Sequence, residues 1–253
     1  MRHPRRAAGR YRGGLRAVVL NVAAPRAVII TGAFGVLGAA VARRFASEGA
    51  RLGLIDRIAA PAWALQEFGG AHQLRAAVEL TDAPATAAAL DSLAADLGGV
   101  DVLVNVAGGF QWQQLGQGAE AVWEAMFATN LKTAVIACSA ALPHLLARGG
   151  GRIINIGAGA AARAAAGMGA YAASKAGVER LTESLAEELK DRDIQVNSVL
   201  PGTLDTPRNR ADLPDADFGR WVSPARVADV IAFLASDAAR AVTGAAIRVA
   251  GRS

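Results

Sequence analysis

The stretch "RAVIITGAFGVLG", residues 26–38, constrains the fold more than any other. An apolar, β-branched run of strand length breaks on glycines and passes at once into a helical pattern. The same switch then repeats along the chain. Residues 26–32 read as a buried strand, and Val36 to Ser47 as a helix ending at Gly49. Residues 51–56 form a second strand, 71–80 hold a third, and Pro84 to Asp96 is a helix with proline in its first turn. Residues 100–108 are a fourth strand, and a long helical stretch spans roughly Ala119 to Ala147 with Pro143 as its kink or end. "GRIINIG" is a fifth strand, Ala170 to Lys190 a helix, 194–202 a sixth strand, Pro224 to Ser236 a helix and 245–251 a last strand. Strands that alternate with helices specify an α/β fold: a doubly wound parallel sheet with right-handed crossovers and helices on both faces. Ligands of such sheets bind beyond the carboxyl ends of the strands.

With 253 residues, no internal repeat and no linker, the chain supports one core. Its single cysteine, Cys138, forbids an intramolecular disulfide, and His3, His72 and His144 stand too far apart in sequence to suggest a metal site. No uninterrupted apolar run reaches the roughly 18 residues of a membrane span. The formal charge of +5 is unevenly placed. Residues 1–25 carry Arg2, Arg5, Arg6, Arg10, Arg12 and Arg16 and no acid, which leaves 21 basic against 22 acidic side chains in the rest. An RNA-binding arm or a targeting segment would fit that tail, as would a flexible basic extension. We read it as the extension, followed by one domain over 26–253, with no nucleic-acid or membrane partner and a cytoplasmic location.

Gly32, Gly35 and Gly38, with Phe34, Val36 and Leu37 between them, join the first strand to the first helix. Glycines there permit a tight turn and a close approach of backbone to a pyrophosphate, which the helix N-terminus attracts. Asp56 closes the second strand, 24 residues beyond Gly32. A carboxylate there accepts hydrogen bonds from adenosine ribose hydroxyls and repels a 2′-phosphate, which favours NAD(H) over NADP(H). The neighbouring Arg57 softens that preference, so NADP(H) remains possible.

Tyr171 and Lys175 lie one helical turn apart. A phenol ordinarily titrates near 10, and a nearby ammonium lowers that value, so the pair is suited to passing a proton to a substrate being reduced.

Together "TGAFGVLG", "LVNVAG", the Asn130 of "TNLK", "YAASK" and "VNSVLPG" resemble the short-chain dehydrogenase/reductase family from Arg26 onward. The resemblance implies a single-domain Rossmann-like fold and a nicotinamide cofactor. It makes Tyr171 the acid/base, Lys175 its electrostatic partner and Asn130 the holder of a relay water. Asn105, Ala107 and Gly108 would line the adenine and ribose end of the cleft. Pro201, Thr203 and Thr206 would cover the nicotinamide. Members commonly form homodimers or homotetramers through the two long helices.

The departures are informative. Val36 takes the place of the usual middle glycine, Val106 that of the second asparagine of Asn-Asn-Ala-Gly, and Ala158 that of the catalytic serine thirteen residues before the tyrosine. At these positions the chain resembles the dihydropteridine reductase branch, whose Ser-free Gly-Ala loop and Gly-Met before the tyrosine it shares. A quinonoid dihydropterin takes hydride into a conjugated imine, so no localised oxyanion calls for an extra hydroxyl. Phe110, Trp112 and Trp221 would either form a flat wall for a planar substrate, with Ala158 beside it, or pack in the core or an interface, and residues 209–218 would be either a mobile lid or a plain surface loop. The alternatives are a family member acting on another carbonyl or alcohol, or a catalytically weakened cofactor-binding homologue.

Overall fold

The computed structural model describes residues 25–117 and 119–252; the basic extension expected at the N-terminus otherwise lies outside them. Seven strands, β1 (Ala27–Thr31), β2 (Arg51–Ile55), β3 (Gln73–Arg75), β4 (Val102–Asn105), β5 (Gly151–Ile156), β6 (Ile194–Pro201) and β7 (Ala246–Val249), form one sheet in the order β3-β2-β1-β4-β5-β6-β7. Every pairing is parallel. The helices are α1 (Val36–Ser47), α2 (Ala62–Phe68), α3 (Ala83–Leu97), α4 (Glu120–Met126), α5 (Thr133–Arg148), α6 (Gly169–Leu189), α7 (Pro207–Asp212) and α8 (Pro224–Leu234). The doubly wound α/β architecture is therefore the one the alternation specifies.

Strand residues are buried almost continuously because both sheet faces are covered. On one face Val28, Ile30, Leu52, Leu54 and Val104 pack against Phe45 of α1 and Ile231 of α8. On the other, Ile29, Leu103, Ile153 and Val196 pack against α3, α5 and α6 through Leu90, Leu93, Leu145 and Ala186. Strand order reverses between β1 and β4, where Thr31 and Asn105 stand side by side at the strand ends. The crevice opens there.

Three elements differ from their sequence-based expectations. The third strand shrinks to three residues, because the chain turns away at Ala77, a left-handed residue (φ 57°) whose N–H donates to the Ile58 carbonyl. The short helix α2 has no capping side chain and is held by Ala64 and Phe68 in the core. The long helix does not end at Pro143: it runs from Glu120 to Arg148, and its irregularity is a π-helical turn at Phe127–Lys132. By length and composition this helix could cross a membrane. One side of it packs on the sheet, where Ala137, Cys138, Ala141 and Leu145 are buried, while Phe127, Val135 and Leu146 stay exposed.

Candidate active site

The loop between β1 and α1 is shaped by contacts that leave no room for side chains. Gly32 has φ +63°, and a Cβ on it would lie 2.7 Å from the Ala107 backbone; one on Gly38 would lie 2.1 Å from the Gly32 carbonyl oxygen. A Cβ on Gly35 would meet only that same oxygen, at 3.4 Å. Gly35 is also the N-cap of α1 and supplies no capping side chain, so the first N–H groups of the helix remain open to an anion. Val36, in the place of the usual glycine, turns outward and is 49% exposed. Beside it Phe34, Gly35, Val36, Ala39, Arg43 and Trp63 line a groove of about 320 Å³.

Asp56 is buried at the end of β2, and its carboxylate accepts from the Phe34 N–H at 2.9 Å and the Ile58 N–H at 3.2 Å. The same acid that could read a ribose thus also anchors the glycine loop. Arg57 follows it, exposed. The open helix end, the tight glycine loop and this acid fit a dinucleotide, whose pyrophosphate residues 35–38 would hold and whose ribose Asp56 would meet.

At β4 the expected lining separates into two groups. The Ala107 N–H donates to Thr31 Oγ1 at 3.3 Å, which fixes the floor beside Gly32. The Asn105 side chain turns into the protein instead: its amide donates to Asn155 Oδ1 at 2.9 Å, and the Asn155 amide donates to Thr182 Oγ1 at 2.9 Å. The Asn105 side chain is thus committed to the interior, with Cys138 and Asn155, on the face its strand parity assigns it.

The proposed proton machinery comes together on α6 and the π turn. Lys175, only 5% exposed, donates from Nζ to the Ile156 carbonyl at 2.7 Å. Asn130, 1% exposed, accepts from the Gly109 N–H at 2.8 Å and donates to the Gly109 carbonyl at 3.1 Å and to Ser174 Oγ at 3.0 Å. The Ser174 hydroxyl donates to the Tyr171 carbonyl at 2.8 Å, so Asn130, Ser174 and Tyr171 form one chain of hydrogen bonds. Ser174 is the residue that the sequence motifs did not single out: buried, it braces the helix turn. Gly108 completes the packing, since a Cβ there would lie 2.8 Å from Asn130 Oδ1 and 3.2 Å from Lys175 Nζ.

Burial sets the electrostatics. It raises the Tyr171 phenol above its ordinary value and lowers the Lys175 ammonium to about 8. The expected lowering of the phenol by the ammonium is not found in the chain, because desolvation disfavours both charged forms. Tyr171 is therefore held protonated at neutral pH, the form a proton donor requires.

On the substrate side Ala158 is buried, and residues 158–170 contain no hydroxyl-bearing side chain. Phe110 stands edge-on to Tyr171, ring centroids 5.0 Å apart at 88°. Trp112 packs on Gly167 and donates from Nε1 to the Ala166 carbonyl at 3.0 Å. Trp221 packs against Phe218, with centroids 4.8 Å apart. Thr206 accepts from the Asn209 N–H at 3.2 Å as the N-cap of α7. The Thr203 carbonyl accepts from Val222, so this covering segment, which begins where Pro201 ends β6, is tied to its own return. Within it Asp205 and Arg210 form a bidentate pair at 2.6 and 2.8 Å.

Residues 26–217 match the short chain dehydrogenase family. The chain belongs to this family. A D-threitol dehydrogenase of Mycolicibacterium smegmatis is 34% identical over 239 residues, covering 89% of this chain and 92% of the relative. A 3-oxoacyl-(acyl-carrier-protein) reductase of Vibrio cholerae is 32% identical, covering 89% of this chain and 96% of the relative. Among solved structures, a 3-ketoacyl-(acyl-carrier-protein) reductase from Brucella melitensis complexed with NADH superposes with a TM-score of 0.81 at 29% identity, covering 90% of this chain and 98% of that one. This short-chain dehydrogenase is accordingly an oxidoreductase with a nicotinamide-cofactor fold. The two curated relatives are named for a polyol and an acyl thioester, so the narrower likeness to pterin reductases rests on the sequence departures alone.

Proposed function

We propose that this short-chain dehydrogenase transfers hydride from NADH to a quinonoid dihydropterin-like imine, with Tyr171 supplying the proton. The observation that carries this reading is the pairing of Tyr171 and Lys175 with a buried Ala158 where the family places a hydroxyl. The cofactor supplies the hydride when bound. Tyr171 delivers H⁺ to the acceptor nitrogen, so NADH, imine and H⁺ become NAD⁺ and the reduced pterin. Lys175 holds the nicotinamide ribose and favours return of a proton to the phenolate. Asn130 holds the water that would carry it, while Ser174 keeps the turn in place. Phe110 confines the acceptor against the phenol, and the segment from Pro201 to Thr206 covers the nicotinamide. The exposed Phe127 and Val135 on the long helix support assembly of copies into dimers or tetramers.

A second reading, oxidation or reduction of an alcohol or carbonyl, is favoured by the names of the curated relatives. NADH oxidation with a panel of quinonoid dihydropterin, quinones and simple ketones, beside NAD⁺ reduction with polyols, separates the two. We expect the pterin to react much faster than any ketone; no rate above background with pterin would remove the first reading.

Cofactor choice is tested at Asp56. Because its carboxylate also holds Phe34, Asp56→Ala is expected to loosen the loop and weaken NADH and NADPH together. Asp56→Asn keeps an acceptor for that N–H and loses the charge. It should shift the NADH-to-NADPH affinity ratio toward NADPH by about tenfold, as read by fluorescence titration. An unchanged ratio in Asp56→Asn would mean the acid does not sense the 2′-position.

A further inference from the structure

The loop that carries Ala158 has almost nothing with which to hold itself. From Ala158 to Ala170 it reads "AGAAARAAAGMGA", in which only Arg163 and Met168 exceed a methyl group. Its own hydrogen bonds are single turns: Ala161 N–H to the Ala158 carbonyl at 3.0 Å, Ala162 N–H to the Gly159 carbonyl at 3.4 Å, and Met168 N–H to the Ala165 carbonyl at 3.1 Å. The helix that follows is also poorly started. Met168, the N-cap of α6, provides no side-chain acceptor, yet Tyr171 lies in the first turn of that helix. An uncapped first turn is where a helix frays.

The missing hold comes from the loop after β4. Trp112 donates its indole N–H to the Ala166 carbonyl at 3.0 Å, and the Gln113 N–H donates to the Gly167 carbonyl at 2.9 Å. The indole also lies against Gly167, where φ is +75° and a Cβ would sit 2.2 Å from the ring. Two residues beyond this contact α6 begins, and its opening bond runs from the Ala172 N–H to the Met168 carbonyl at 2.8 Å. On the far side the same turn rests on Val122 and Met126 of α4 through Ala170. The turn is thus packed from one side and latched from the other, and Phe110 of the latching loop presses on the Tyr171 ring. Trp112 is nevertheless 51% exposed, so burial of the indole does not explain its placement.

We propose that Trp112 is a positioning residue: by latching residues 166–167 it sets the uncapped first turn of α6, and with it the Tyr171 hydroxyl, against the reacting substrate. The proposal rests on the reading of Tyr171 as proton donor, but its structural half is measurable without turnover. In Trp112→Ala we expect the amides of Gln113 and Ala172 to exchange hydrogen about tenfold faster, with β4 and β5 unchanged. NADH affinity should stay within about twofold, because the phosphate loop and Asp56 are untouched, and kcat should fall about tenfold on whichever panel substrate the wild type turns over. Trp112→Phe keeps a ring on Gly167 without the N–H and should restore most of kcat. Unchanged exchange at Ala172 in Trp112→Ala would overturn the latch. Faster exchange with wild-type kcat, or with an equal loss of NADH affinity, would overturn the positioning role. A wild type inactive on the whole panel would sink the functional reading, while the exchange at Ala172 would still decide the latch.

Discussion

Tyr171→Phe is expected to lower turnover by about 10³-fold while NADH affinity stays within about twofold of the wild type. The substitution removes one oxygen and leaves the ring. Phe110 can still meet it edge-on, and Ala170 beside it keeps its packing on Val122 and Met126. The Ser174 hydroxyl bonds to the Tyr171 carbonyl, which the variant retains, so the chain from Asn130 persists. What disappears is the proton source in the transition state, and general-acid catalysis of this kind contributes typically about 10²–10⁴-fold. Single-turnover rates beside a fluorescence titration separate the two quantities. Equal loss in both would make Tyr171 a structural residue and return the proton-donor role to another group.

The sheet, its winding and its ligand edge were legible because the central strands are buried on both faces and so appear as apolar runs, whereas the edge strands β3 and β7 are only partly buried. The glycine loop and Asp56 were legible for a similar reason: backbone contact at 2.7 Å or less tolerates only glycine, and a lone acid at a strand end stands out. Other features depend on direction, which residue type does not record. Asn105 was placed toward the ligand, yet strand parity sends its amide to Asn155. Trp112 was read as substrate wall, and only the fold brings Gly167, 55 positions later, beneath its ring. The part played by Ser174 was not legible, since only the fold brings Asn130 to a hydroxyl that serves the backbone of Tyr171. Spacing gives the distance between a phenol and an ammonium but not how far water is excluded from both, so the burial that raises the Tyr171 phenol in the chain alone was not legible.

That exclusion yields the second large effect, at Lys175. Lys175→Met should reduce turnover by 100-fold or more, on the order of a general acid–base contribution, and should also change how stability depends on pH. In the folded chain the ammonium titrates at about 8, against an ordinary 10.5. Below pH 8 both folded and unfolded chains carry the charge, and the folded one bears the cost of burying it. As pH rises from about 8 toward 10.5, the folded chain has lost this proton while the unfolded chain still binds it. Stability therefore increases with pH in that window, since it rises wherever the unfolded state binds more protons. A difference of this size corresponds to about 3 kcal/mol at most, partly offset by the bond to the Ile156 carbonyl that only the charged or donating amine makes. Methionine fills the same channel without a charge, so the variant should be as stable as the wild type or more stable at pH 7 and should lack this rise. Urea midpoints measured at pH 7, 8.5 and 10 for both proteins report the difference directly, with the titration of every other group common to the two. Parallel profiles would mean that Lys175 is hydrated in solution and does not bear a buried charge.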